Sequence, residues 1–315
     1  MTAPAIHASR LTRRFGDTVA VAGVDLSVAA GEIYGFLGPN GAGKSTCVRM
    51  LCTLLAPTSG SATVAGHNVL SDPGQVRLRI GVALQDAALD PKLTGRELLA
   101  VQARLYGMSK RQAAIRLGEL AGLVDMTAID RRIETYSGGM RRRLDLAAAL
   151  IHDPEVVFMD EPTTGLDPDS RVRVWDELRR LNRDAGVTVF LTTQYLEEAD
   201  ELADRVGIIC RGELVAEGAP TDLKRRIGTD VIIVAVDGDA HAAAEAVRPV
   251  AGVESVEVHG DELTVAVQDG SRSVSPVAVA LDTNGATVTD LRLRSPSLDD
   301  VYLELTGARL AVEGS

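Results

Sequence analysis

Short apolar segments at residues 5–11, 18–21, 24–28 and 33–37 alternate with polar positions, divided by turns such as Phe15-Gly16-Asp17 and Ala30-Gly31-Glu32. This pattern predicts strands. A helix is expected over 45–55, and Ser59-Gly60-Ser61 then introduces short strands at 62–64 and 68–70. A short helix at 73–79 and a strand at 80–84, ending at Gln85, close this framework. The period then becomes helical. Thr94 and Ser109 suit N-caps for helices over 96–106 and 111–121, and a helix over 140–151 places Met140, Leu144, Ala147, Ala148 and Ile151 on one core-facing stripe. The block 86–153 reads as a helical subdomain. From Glu155 the order is strand 156–159, helix 170–183 stopped by Gly186, strand 187–193, helix 196–203 and strand 206–210. Such alternation predicts an α/β architecture with a parallel sheet covered on both faces.

The pattern breaks at Gly218-Ala219-Pro220 and resumes with a short helix at 221–227. Val- and Ala-rich strands are expected at 230–236, 253–258 and 262–267, with helices at 240–247 and 274–284. The order strand–helix–strand–strand–helix–strand predicts a small ferredoxin-like α+β domain. The expected domains are 5–220 and 221–315.

Composition narrows the classes of partner. The 315 residues carry a net charge of −11 and only 3% aromatic residues, which points away from nucleic acid and from anionic lipid as direct partners. Arg141-Arg142-Arg143 is a local basic run against that background. No apolar stretch of about 18 residues predicts a membrane span, and the N-terminus lacks a basic head with an apolar block, so the expected compartment is the cytoplasm. Three cysteines in apolar surroundings make neither a disulfide framework nor a zinc site.

The chemistry concentrates at Gly38-Pro39-Asn40-Gly41-Ala42-Gly43-Lys44-Ser45-Thr46, which fits G-x-x-x-x-G-K-[ST], a phosphate-binding loop between strand and helix. The glycines open the backbone, and the helix start at Lys44 offers N–H groups and a positive dipole end to an anion. Lys44 is expected at the β- and γ-phosphates and Ser45 on Mg²⁺. An apolar strand ending in Asp160-Glu161 puts carboxylates at the mouth of the sheet. Asp160 suits Mg²⁺, and Glu161 suits the general base for the attacking water. Taken alone, Tyr136-Ser137-Gly138-Gly139-Met140 reads as an N-cap with a tight turn before a helix, although a capped, glycine-bared helix start is also an anion site.

In this order, with Gln85 ending an earlier strand, the constellation resembles the ATP-binding cassette (ABC) family over about residues 5–220. The resemblance implies an ABC ATPase domain with a parallel sheet core, an antiparallel β subdomain and a helical subdomain. It implies binding of ATP and Mg²⁺, with Gln85 as the Q-loop residue on the metal. It also aligns Ser137, Gly138 and Gly139 with the family's Leu-Ser-Gly-Gly-Gln signature, whose two ends differ here, and Asp167 of Gly165-Leu166-Asp167 with its D-loop. Phe15 stands where the family has an aromatic residue stacked on adenine; from the residues alone it reads equally as a core residue beside the turn. Gln194 occupies the place of the family's switch histidine, so its amide can donate to a γ-phosphate oxygen but cannot titrate near neutral pH.

In this family the signature of one cassette closes over the phosphates of another, so a second copy of the chain is expected as a partner. Thr192-Thr193-Gln194-Tyr195-Leu196-Glu197-Glu198-Ala199-Asp200, the run from Tyr136 to Asp145 and the ending from Ser297 to Gly307 are similar to the daunorubicin-resistance type of ABC ATP-binding subunit of actinobacterial multidrug exporters. That implies an ATPase motor for drug efflux at the cytoplasmic face of the membrane, held there by a separate integral-membrane permease. Export of a lipid or polysaccharide is the neighbouring expectation. A soluble non-transport ABC ATPase is disfavoured by the single cassette, the missing coiled coil and the acidic charge.

Overall fold

The computed structural model describes residues 3–84, 89–124 and 126–306. The chain divides into two compact units, the first ending at Pro220 and the second beginning at Thr221.

The first unit opens with a hairpin, β1 (Ile6–Phe15) and β2 (Thr18–Val28), turned at Gly16. The two segments expected at 18–21 and 24–28 are one strand. Gly23 interrupts the alternation without ending it, with φ of 75° among register irregularities in the β1–β2 pairing. β3 (Ile33–Leu37) leads into α1 (Lys44–Leu51). The apolar period would extend α1 to residue 55, but Thr53 takes a left-handed φ of 62° and the N–H groups of Leu54 and Leu55 return to the Arg49 carbonyl. β4 (Ser59–Val64) and β5 (His67–Asn68) complete an antiparallel sheet in the order β2-β1-β4-β5. β5 stops short of the expected residue 70 because Asn68 Oδ1 accepts the N–H groups of Leu70 and Ser71, turning the chain.

α2 (Pro73–Arg79) and β6 (Ile80–Ala83) precede the helical block of α3 (Gly95–Leu105), α4 (Lys110–Glu119) and α5 (Gly138–Leu150). Thr94 with Glu97, and Ser109 with Gln112, form reciprocal capping boxes that start α3 and α4. β7 (Val156–Asp160), α6 (Pro168–Ala185), β8 (Thr188–Thr193), α7 (Leu196–Leu202) and β9 (Arg205–Cys210) follow. β10 (Glu213–Gly218) is a strand absent from the pattern reading. It pairs antiparallel with β9 across Arg211-Gly212, both at positive φ, and its half-exposed edge position leaves a weak apolar signal. The main sheet runs β10-β9-β3-β8-β7-β6, parallel except at β10.

The central strands are buried along their whole length, so alternate residues serve different cores. Val157, Met159, Val189 and Leu191 face a cluster with Leu99, Leu120, Ile129, Leu144 and Leu178. Phe158 and Phe190 face the other cluster with Ile6, Leu11, Val21, Phe36, Cys47 and Met50, beneath the antiparallel sheet. Phe190 is fully buried, with ring centroids 5.4, 5.5 and 5.6 Å from Tyr34, Phe36 and Phe158.

In the second unit, α8 (Pro220–Ile227) leads into β11 (Asp230–Asp237), α9 (Ala240–Val247), β12 (Val253–His259), β13 (Glu262–Val267), α10 (Gly270–Thr283) and β14 (Thr287–Arg294), followed by α11 (Leu298–Thr306). The sheet order β12-β13-β11-β14, antiparallel throughout, is ferredoxin-like. Ile232, Val234, Leu263 and Val265 bury one sheet face against Ala243, Ala244, Val247, Val277 and Leu281. α10 starts four residues before its expected position because Asp269 caps it, accepting the Arg272 N–H at 3.1 Å.

Phe190→Ala is expected to destabilise the first unit by about 3–5 kcal/mol. Denaturant unfolding should display the loss as a lower midpoint with an unchanged slope.

Candidate functional site

Leu37 pairs with Thr193, and Asp160 pairs with Thr192, so β3, β7 and β8 end level at one edge of the sheet. The chain leaves that edge in three places: the loop 38–43, Glu161 and Gln194. Each lies one residue beyond its strand, where α/β proteins gather ligands.

The loop after β3 is drawn tightly against neighbouring backbone. A Cβ on Gly38 would lie 2.5 Å from the Ile209 carbonyl oxygen, and one on Gly43, which has φ of 109°, would lie 2.4 Å from that of Ala20. Only glycine fits at either position. Lys44, the first residue of α1, is 4% exposed, and its Nζ donates to the carbonyls of Gly38 at 2.6 Å and Pro39 at 3.2 Å. Glu161 Oε1 lies 3.6 Å away. Burial pulls the Lys44 pKa below its ordinary value, with Glu161 and then Asp160 opposing the shift. A cavity of about 340 Å³ opens here, lined by Ala20, Glu161 and loop residues including Asn40, Lys44, Ser45 and Thr46. A larger hollow of about 550 Å³ in the second unit, bordered by Lys224, Arg225, Asp230, Glu254 and Asp269, mixes both signs of charge and has no such glycine cradle.

The acids at the end of β7 are held individually. Asp160 is buried and its Oδ1 accepts from the Thr192 hydroxyl. Glu161 has φ of 50°, an uncommon conformation for a residue with a side chain. Its N–H lies 3.1 Å from both the Thr192 carbonyl and the Thr192 hydroxyl, and its Oε2 accepts from the Thr164 hydroxyl at 3.3 Å. Ser45 and Asp160 carry hard oxygen donors of the kind that suit Mg²⁺. Gln194 is 6% exposed, and its Oε1 has no hydrogen-bond partner among the described residues. A buried amide left open in this way is suited to a polar ligand. Thr192 was not singled out by sequence; its part follows from its register opposite Asp160. Glu198 was also missed. It is fully buried on α7, accepts from Thr163 at 2.9 Å and from Trp175 Nε1 at 3.1 Å, and its carboxyl is pushed up by desolvation against these bonds.

Ser137, Gly138, Gly139 and Asp167 meet elsewhere. Ser137 caps α5, accepting the Met140 N–H at 3.3 Å, and Asp167 caps α6, accepting from Ser170 N at 2.9 Å and Ser170 Oγ at 2.6 Å. A Cβ on Gly139 would be 3.0 Å from Ser170 Oγ, so the two helix starts adjoin. None of these four residues lines the phosphate-loop cavity. Phe15 is 48% exposed with the Arg13 guanidinium 4.6 Å from its ring centre, so it is a surface aromatic rather than a core residue. Gln85 lies outside the described residues. The basic run divides: Arg141 is exposed, whereas Arg142 turns inward beside Asp145 at 3.2 Å. Desolvation, opposed by Arg142, pushes the Asp145 carboxyl up to about 6.

A glycine loop opening a helix beside two strand-end acids defines a nucleotide-binding P-loop ATPase fold and site. Residues 21–164 match the family described as ABC transporter, and residues 218–306 match the C-terminal domain of DrrA1-3-like ATP-binding proteins. The chain is 47% identical over 309 residues to the daunorubicin resistance ATP-binding protein DrrA3 of Streptomyces coeruleorubidus, covering 98% of this chain and 97% of that one. It is 48% identical to the daunorubicin/doxorubicin resistance ATP-binding protein DrrA of Streptomyces peucetius, with 96% and 92% covered. A solved dimeric bacterial ABC transporter cassette superposes with a TM-score of 0.62 at 25% identity, covering 68% of this chain and 98% of that chain. The chain belongs to the ABC transporter ATP-binding proteins, in the branch of the daunorubicin-resistance ATP-binding proteins.

Asp145 supplies a pH test. Its folded pKa of about 6 lies above the unfolded value of about 3.9, so the folded state binds the extra proton between these limits. The contribution of this group to stability therefore rises as pH falls from above 6 towards 4. Relative to Asp145→Asn, the natural chain should gain up to about 2–3 kcal/mol across that window, measured by denaturant unfolding at stepped pH.

Proposed function

We propose that this chain is the ATP-hydrolysing motor of a drug-efflux ABC transporter, working as a pair of copies with two ATP molecules between them. The observation that carries the reading is the 3.6 Å approach of Lys44 to Glu161 at the mouth of the glycine-walled cavity. A fixed cation and a fixed carboxylate converge there where a γ-phosphate and its attacking water would meet.

The amides around Gly41 and Gly43 and the start of α1 bind the phosphate chain, and Lys44 neutralises charge on its β and γ oxygens. Glu161 orients the attacking water and accepts its proton. Gln194 donates its amide to a γ-phosphate oxygen, sensing the terminal phosphate without itself titrating. Mg²⁺, when bound, supplies charge neutralisation across the β- and γ-phosphates, and Ser45, Asp160 and Gln85 would hold it. Phe15, with its exposed ring, is assigned the stacking role on adenine.

Ser137, Gly138, Gly139 and Asp167 stand away from the chain's own cavity, which supports their use on the partner's nucleotide. ATP would then join two copies and its hydrolysis release them, a two-state device biased by the γ-phosphate. Among the described residues no helix is long and apolar enough to cross a membrane. The transport path then belongs to a separate permease, and the motor docks at its cytoplasmic face. Daunorubicin and doxorubicin in the names of the relatives support a drug-like cargo.

Glu161→Gln is expected to bind ATP, to lower steady-state turnover by at least about 100-fold and to form a more persistent dimer with ATP. Phosphate release and size-exclusion chromatography read the two effects, and turnover like that of the natural chain would remove Glu161 from the role. Gln194→Ala should slow turnover by roughly tenfold through loss of the γ-phosphate hydrogen bond while ATP still binds. A phosphate-release assay beside nucleotide titration separates these.

A further inference from the structure

Arg142 lies on α5, one turn beyond Ser137, Gly138 and Gly139, and its side chain is 12% exposed. Its guanidinium donates to three main-chain carbonyls from two parts of the first unit. Nε reaches Pro162 at 2.9 Å, Nη2 reaches Asp160 at 3.1 Å and Nη1 reaches Leu84 at 2.7 Å. Nη1 also meets Asp145 Oδ2 at 3.2 Å, which offsets the cost of a buried cation. Two of the carbonyls flank one residue. Asp160 and Pro162 are the neighbours of Glu161, so the peptide group that enters the left-handed Glu161 and the one that follows Pro162 are tied to one planar donor.

Side chains avoid φ of 50° unless the surroundings enforce it. The N–H of Glu161 is bound to Thr192, and its carboxylate meets Lys44 and Thr164. The flanking carbonyls are bound by Arg142. A guanidinium with five N–H donors in a rigid plane can serve three separated carbonyls, whereas an ammonium on a flexible stem holds no such plane.

We propose that Arg142 is a positioning residue for Glu161 and that it joins the signature helix to the hydrolytic acid within one chain. This rests on the reading of Glu161 as the base and of the α5 start as the partner's phosphate cap. Closure of the α5 start on the partner's nucleotide then reaches the chain's own Glu161 through one side chain, so that each site reports to the other.

The test uses the full chain with Arg142→Lys and Arg142→Gln beside Glu161→Gln, measuring phosphate release against ATP concentration. Fluorescent-nucleotide binding counts the folded sites, and turnover is expressed per binding site so that partial unfolding of a variant does not enter. Both Arg142 variants are expected to lower kcat by about 10- to 100-fold while KM and nucleotide affinity stay within about twofold. The Hill coefficient of hydrolysis should fall towards one. A merely structural role would move affinity, KM and melting temperature together and leave turnover per site unchanged, overturning the proposal. Glu161→Gln separates the two failures. If it is inactive while Arg142→Lys keeps full kcat per site, only the Arg142 proposal is lost; if it turns over normally, the reading of the base fails and this proposal with it.

Discussion

The level ending of β3, β7 and β8 is the constraint on which the first unit depends. Parallel strands buried on both faces bring their chain ends out at one edge, and any group placed just beyond that edge is brought near its neighbours. Leu37 opposite Thr193 and Asp160 opposite Thr192 put the phosphate loop, Glu161 and Gln194 side by side. A slip of one residue in β7 would turn Val157 and Met159 towards the Phe190 cluster and Phe158 away from it. The two cores that fix this register also fix the site.

Around that edge the protein buries polar groups and satisfies most of them with neighbours from other elements. Thr192 binds both the Asp160 carboxylate and the Glu161 amide, Glu198 receives Thr163 and Trp175, and Arg142 takes three carbonyls. Such networks favour one arrangement because each member, left alone, would carry a desolvation cost of about 1–3 kcal/mol. Gln194 departs from the rule, its buried Oε1 having no hydrogen-bond partner among the described residues.

The second unit is built by a simpler rule. Alternating Val, Ile and Leu give its antiparallel sheet one apolar face, and two helices cover that face. Its elements were legible because strands of period two and alanine-rich helices are locally consistent there. The hairpin strand β10 was not legible, since half-exposed residues at a sheet edge carry little periodicity. The end of α1 was also hidden, because an apolar run reads as helix even where the chain turns back on Arg49.

The amino-acid sequence by itself determined the phosphate loop, the strand-end acids, the two-unit plan and the membership in a family of transport ATPases. Each is a local pattern: glycines at fixed spacing, an apolar strand before two carboxylates, a change in hydrophobic period. Only the tertiary structure decided that Arg142 faces inward rather than joining a basic patch, that Phe15 lies at the surface, and that Thr192 holds both acids. It also decided that Ser137 and Asp167 adjoin each other away from the loop of Lys44. These depend on contacts between residues tens of positions apart, such as Arg142 with Leu84 and Thr192 with Asp160. Such pairings are set by strand register and helix packing, which no local pattern of residues specifies.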